Sequence, residues 1–255
     1  LSKCPKVDPN RIIRIYEFMK NISGKNIDFE LVLFLSPCKK KITEKLTTIL
    51  PLHINSGSTM PSTYINIWRY EEWEKVFIHE LIHMFKIDYT SDSQLENILK
   101  SKYNICGNIK ITEAYTECIA IIIHSIYVSI MNNKNVLEIL QLEINFNLFQ
   151  CAKILYYLDI DNIDNIYEGK CLKQKTSVFS YYFVKTALLM SIDFIDFITE
   201  DIFLNGRTDR FIEIVINSLN NNEFKQLVNE NINSNLDGFI SSTMRMSCLQ
   251  LANDL

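Results

Sequence analysis

The chain has 255 residues, enough to bury a substantial core as one compact domain or as two closely packed lobes. Its 47% hydrophobic and 22% charged content is that of a soluble globular protein, and 26 basic against 30 acidic residues leave a net charge of −4. That balance excludes the electrostatic footprint of a nucleic-acid binder. The one basic run, Lys39-Lys40-Lys41, reads as a solvated helix start.

In chain order, residues 8–24 carry apolar positions at helical spacing and stop at Gly24, which predicts a helix. Residues 29–35 form a short β-rich run ended by Ser36-Pro37, a buried strand. A short helix is expected over 41–50 and a turn over 54–59. Alternation over 62–69 predicts a second strand feeding directly into a helix at 71–87. Further helices are expected at 92–102, 112–132, 134–158, 177–198, 208–219, 222–232 and 243–253, separated by Asn/Asp/Gly clusters. The expected class is therefore α+β and mostly helical. Residues 1–132 form a lobe with a small β-sheet and 133–255 an all-helical lobe, with a cleft between them.

Seven cysteines, at 4, 38, 106, 118, 151, 171 and 248, are scattered without a CxxC pair. This predicts neither a disulfide framework nor a cysteine zinc site, and favours a reducing, intracellular (cytoplasmic) compartment. The apolar stretch at 118–131 reads as too short and too polar to span a membrane. No signal-peptide pattern is visible. Abundant Ile, Asn and Lys fit an AT-rich genome, such as that of a large DNA virus or a protist.

Residues 79–83 read His-Glu-Leu-Ile-His, and the whole chain has only four histidines. Four residues of α-helix turn about 400° and rise about 6 Å, so His79 and His83 point the same way. Both imidazoles can then reach one zinc ion at about 2.0–2.1 Å. Glu80 sits about 100° round the helix, outside ligating position but beside a water on the metal. This is the physical content of the HExxH motif: two ligands and a base that does not ligate. Phe77, Ile78, Leu81, Met84 and Phe85 make the core-facing arc, with the histidines opposite.

A catalytic zinc usually has three protein ligands and one open position. Extension of the motif by Gly at 86 and His at 89 is absent, since the chain has Lys86 and Tyr89; Asp88 is one residue out of that register and lacks the glycine turn. Residues 111–120, Ile-Thr-Glu-Ala-Tyr-Thr-Glu-Cys-Ile-Ala, place Glu113 and Glu117 four apart on a predicted helix. One carboxylate can bind zinc and the other accept the N–H of a ligating histidine. Spacing alone does not choose between them.

With these two motifs the sequence resembles the gluzincins, the thermolysin-like zinc metallopeptidases. Their second motif is a helical Glu-x-x-x-Asp, often preceded by Asn and followed by Ala. Thr112-Glu113-Ala114-Tyr115-Thr116-Glu117 matches it with Thr for Asn and Glu for Asp. The resemblance covers residues 62–120. It implies a zincin-like N-terminal lobe in which the active-site helix packs beneath a sheet. It also implies Glu113 as third zinc ligand and Glu117 as the partner of His79, although the longer Glu117 side chain could itself ligate. The expected activity is zinc-dependent hydrolysis of peptide or protein substrates, with Glu80 activating the zinc-bound water.

Related enzymes add an oxyanion donor from a downstream His or Tyr. His124 lies about 16 Å along the helix from Glu113 and reads as a core histidine; His53 has no assigned role. Tyr181 and Tyr182, early on a rear-half helix, are the candidates. Lys185 and Arg245 are candidates for holding a substrate carboxylate, which would make the enzyme a carboxypeptidase. Residues 55–67 are a candidate edge along which substrate adds as a strand. Two other readings compete: a zinc hydrolase of non-peptide substrates, and a non-catalytic zinc-binding scaffold, for instance a viral structural protein. Intact Glu80 weighs against the scaffold, which has no need of a base.

Overall fold

The computed structural model describes residues 7–90, 94–232 and 239–250. Helix α1 (Pro9–Ser23) starts at Asp8, whose side chain accepts from Asn10 N at 3.0 Å, and ends at Gly24 in the left-handed conformation. Strand β1 (Glu30–Ser36), the short helix α2 (Pro51–Ile54) and strands β2 (Gly57–Met60) and β3 (Tyr64–Arg69) follow. The sheet order is β1-β3-β2, with β1 parallel and β2 antiparallel to the central β3. β2 is therefore an edge strand. Alternate β3 residues Ile65, Ile67 and Arg69 are buried. The Arg69 guanidinium donates to the Asn55, Cys38 and Leu52 carbonyls, tying down the chain that enters β2.

Helix α3 (Trp73–Met84) leaves β3 through a turn in which Glu72 has φ 58°. The rest is mainly helical: α4 (Gln94–Lys102), α5 (Ile111–Asn132), α6 (Val136–Tyr157), α7 (Asn165–Glu168), a π-helix (Phe179–Val184), α8 (Lys185–Leu189), α9 (Ile192–Glu200), α10 (Thr208–Leu219), α11 (Asn222–Ile232) and α12 (Phe239–Ser242). Strands β4 (Ile105–Cys106) and β5 (Leu172–Lys173) form a separate parallel pair. The protein is thus mixed α+β, mostly helical, with a small sheet. One hydrophobic core runs from Ile15, Ile65 and Phe77 through Ile119 and Leu155 to Phe183, Phe211 and Val228. Residue 133, where the sequence divides the lobes, is the left-handed cap of α5, and both sides share that core. By length and composition α5 is apolar enough to cross a membrane. However, 67% of its apolar window is buried inside the fold, as expected for a core helix.

Several sequence expectations need correction. Residues 41–50 form no helix: Ile42, Leu46 and Ile49 donate their backbone N–H groups to Ser242, Tyr157 and Lys173 carbonyls. A short helix with a costly nucleus loses to such tertiary partners. The predicted turn at 54–59 is partly strand β2. The helix expected over 177–198 is broken into the π-helix, α8 and a new start at Ser191, whose hydroxyl caps Phe194 N. Residues 243–250 are an irregular strap rather than a helix, because buried side chains claim their backbone groups. Glu72 Oε1 accepts from Met246 N (2.7 Å) and Ser247 N (2.6 Å), for example. Residues 92, 93 and 251–253 of the predicted terminal segments lie outside the described residues. Finally, Cys106 and Cys171 are disulfide-bonded, contrary to the expectation of unpaired thiols. The β4–β5 pairing brings their Cα atoms to 5.9 Å, within the range a disulfide spans.

Candidate metal centre

Helix α3 presents Lys75, His79 and His83 one turn apart along a single stripe, facing the first two turns of α5. Buried Ile111, Ala114 and Tyr115 seat that end of α5 and aim Glu113 at the histidines. His79 Nε2 and His83 Nε2 lie 3.1 Å apart, and Glu113 Oε2 lies 3.4 Å and 3.6 Å from them. Donor atoms around a tetrahedral zinc at about 2.0–2.1 Å are separated by roughly 3.3 Å. Glu113 Oε2 is also buried without a hydrogen-bond partner. An orphaned carboxylate oxygen aimed at two imidazole nitrogens carries a desolvation cost that a cation would offset. The two-nitrogen, one-oxygen donor set therefore fits a zinc-type ion.

Each ring's other nitrogen has an acidic neighbour. His79 Nδ1 lies 2.8 Å from Glu117 Oε1, and Lys75, itself buried, donates to both Glu117 oxygens at 2.8 Å. His83 Nδ1 lies 2.7 Å from Asp88 Oδ2, which also accepts from Thr116 Oγ1 at 3.0 Å. The His83–Asp88 hydrogen bond fixes that ring's orientation and tautomer, while His79 Nδ1 lies close to Glu117 without a hydrogen bond. Burial disfavours charge on Glu117 and on His83, but their partners outweigh it. Burial would raise the Glu117 carboxyl, yet Lys75 and His79 hold it well below the usual carboxylate range. Burial would lower His83, yet Asp88 and Glu113 raise it well above an ordinary imidazole.

Glu80 stands beside the triad, outside it. Thr59 Oγ1, on the edge strand, donates to Glu80 Oε2 at 2.7 Å and to Glu80 O at 3.0 Å. A Cβ at Gly57 would meet Glu80 Oε1 at 2.5 Å, so glycine is what lets β2 pass this close to the carboxylate. Burial raises the Glu80 carboxyl, opposed by His79, His83 and the Thr59 hydroxyl. The group opens on a cleft of about 860 Å³ bounded by residues 55–61, the end of α3, the start of α5 and residues 175–181. Tyr181 lines it, with its ring centroid 6.5 Å from that of His79. Burial and nearby Glu113 raise the Tyr181 phenol, which therefore stays protonated as a donor.

The remaining site candidates are elsewhere. Tyr182 is fully buried and donates to Met244 O at 2.7 Å; the π-helical turn sends adjacent tyrosines to opposite destinations. Lys185 is buried and donates to Met246 O, and buried Arg245 faces Ser247 O and Glu71. None of the three lines the cleft, so they leave the set of candidate substrate contacts. His124 is a core histidine, 3.7 Å from Glu74. His53 Nδ1 accepts from Leu50 N at the start of α2.

Sequence reasoning overlooked three contributors. Lys75 was legible as the residue one turn before His79 on the same stripe. Asp88 was set aside as a third ligand, being one residue out of register and without the glycine turn, and it lies outside the donor group; its contact with His83 Nδ1, after the left-handed turn at Lys86 (φ 54°), was not foreseen. Thr59 is brought in by strand pairing alone and gave no local signal.

The fold and donor set together define a mixed α+β protein with a candidate two-histidine, one-carboxylate cation site. No family model matches the chain, and no solved structure matches it. It is similar to an uncharacterized protein, R210, of Acanthamoeba polyphaga mimivirus, with 29% identity over 192 residues. The match covers 68% of this chain and 48% of that protein, so the chain spans about half the length of its relative.

Proposed function

We propose that this chain is a zinc-dependent peptidase of the zincin-like type, its active-site helix packed against a sheet whose free edge faces the cleft. The observation that carries this reading is the convergence of His79 Nε2, His83 Nε2 and the orphaned Glu113 Oε2, with Glu80 free beside them. His79, His83 and Glu113, which all line the cleft, would hold the ion. A zinc ion there supplies Lewis acidity toward water and toward an amide carbonyl. Glu80 takes a proton from the attacking water as the C–O bond forms and passes it to the amine nitrogen as the C–N bond breaks. Tyr181 donates to the carbonyl oxygen as it gains charge. The β2 edge receives an extended substrate by main-chain hydrogen bonds. The likeness to a mimivirus protein supports a viral type of chain.

The test is zinc stoichiometry and peptide hydrolysis for the wild type and Glu80→Gln. The expected result is one zinc in each and a fall in kcat of about 10²–10⁴ in the variant. Zinc in both with no hydrolysis by either, across a broad peptide library, would favour the scaffold or a non-peptide substrate. No zinc in either removes the site.

A further inference from the structure

We infer, building on the peptidase reading, that the cleft selects acidic peptide segments, recognised by Lys86, Lys110 and Lys175. All three are exposed and line the cleft, and none forms an ion pair among the described residues. The acidic groups in the same cleft are already engaged. Asp88 is held by His83 and Thr116, Glu80 by Thr59, and Glu113 faces the histidine pair. Glu80 and Asp88 are buried and Glu113 half-buried on the cleft floor, whereas the three lysines are exposed, so a ligand entering the cleft meets positive charge first, which attracts acidic ligands and repels basic ones.

Two further observations favour charge as the selecting property. Among the described residues, Pro61, Tyr89 and Tyr181 are the apolar or aromatic side chains on a lining otherwise made of Asn, Ser, Thr, Gly, His and charged residues. Ile54, Val76 and Met246 line a small recess beside His79 and Glu80, so apolar contacts are confined there while the wider cleft offers charge. Lys86 also sits in a left-handed turn that glycine adopts without strain, so the chain keeps a long cationic side chain at the mouth of the site against the local backbone preference.

The experiment uses the full chain as Glu80→Gln, loaded with zinc so that peptide is bound but not consumed. Fluorescence anisotropy compares peptides of one length and backbone in which the variable positions are all Glu, all Gln or all Lys. The Glu peptide should bind about tenfold or more tighter than the Gln peptide at low salt, and the advantage should shrink as salt rises. The triple variant Lys86→Gln, Lys110→Gln, Lys175→Gln should lose that preference while zinc content stays the same. Equal binding of Glu and Gln peptides overturns the inference. So does a preference that survives the triple substitution, or one that disappears when zinc is removed, since the ion rather than the lysines would then be reading charge. Displacement of the Glu peptide by a single-stranded oligonucleotide of equal charge, at equal concentration, also overturns it in favour of a generic polyanion surface. Failure of the underlying reading shows separately, as absence of hydrolysis by the wild type in the presence of zinc.

Discussion

Two regions of this molecule bury charge at similar density, and they do opposite things with it. The floor of the cleft, built from α3 and α5, buries Lys75, His79, Glu80 and Glu117. The strap at 243–250 and its surroundings bury Lys153, Lys185, Arg245, Glu72 and Glu143. In the strap the polar groups are spent on backbone. Lys153 donates to Ile240 and Thr243 carbonyls, Gln150 to Arg245 O, Tyr182 to Met244 O, and Glu72 and Glu143 accept strap N–H groups. That arrangement fixes a chain segment, of which Met246 lines the small recess beside His79 and Glu80. On the cleft floor, side chains hold other side chains, and the chain of contacts ends on three donor atoms with no protein atom between them and an acceptor left orphaned. Buried charge is common to both regions. Convergence toward an open space distinguishes them.

The comparison breaks most visibly at Lys75. If the floor is a held network, Lys75→Met leaves Glu117 charged, buried and without its main partner. Unfolding in urea should then show a loss of about 3–5 kcal/mol. Zinc affinity of the folded fraction should fall by about 10–100-fold, because His79 loses its fixed neighbour. Adding Glu117→Gln to the same chain should recover part of the stability and none of the affinity. A loss below about 1 kcal/mol, or full recovery of both properties, would mean that the Lys75–Glu117 pair serves packing alone.

The same contrast explains what could be read from sequence. His79, His83, Glu113 and Glu117 were legible because helical periodicity brings residues four apart onto one face, and each pair is local. Which helices pack together is not local, yet the donor chemistry of the two motifs was enough to expect that these would. Tyr182, Lys185 and Arg245 were misassigned for the opposite reason. Their residue types suit a substrate site, but their directions are set by the π-helical turn at 179–184 and by the strap, neither of which leaves a periodic signature. The helix expected at 41–50 and the one at 243–253 failed together. The segments meet at their starts, where Lys41 bridges Thr243, with Ile42 N donating to Ser242 O and Met244 N to Lys40 O. Local propensity gives no notice of such a pairing.

A smaller effect is expected where the floor is held by one contact. Asp88→Asn keeps the shape and the Thr116 contact but removes the charge facing His83 Nδ1. Zinc affinity, measured by competition with a chelator, should weaken by about tenfold, toward the low end of the range for groups of this kind. Stability without metal should change by less than for Lys75→Met, since Asp88 sits nearer the cleft mouth. Unchanged affinity would separate Asp88 from the metal centre and leave it as the anchor of the Lys86 turn.

The strap gives the converse test, because its Lys153 is buried with no carboxylate to compensate. Burial alone pushes its ammonium down to about 7. The unfolded chain keeps the ordinary value of 10.5, so between these two the unfolded state binds more protons and stability rises with pH. Below about pH 6 both states are protonated and the contribution is flat. Lys153→Met removes the titration while lengthening no contact in the cleft. The wild type should therefore gain about 1 kcal/mol on the variant between pH 7 and pH 8 in urea unfolding, with the gap constant below pH 6. A gap independent of pH would mean that the lysine finds a compensating charge. Strap and floor would then neutralise their buried cations in the same way, and only the open side of the floor would set the two regions apart.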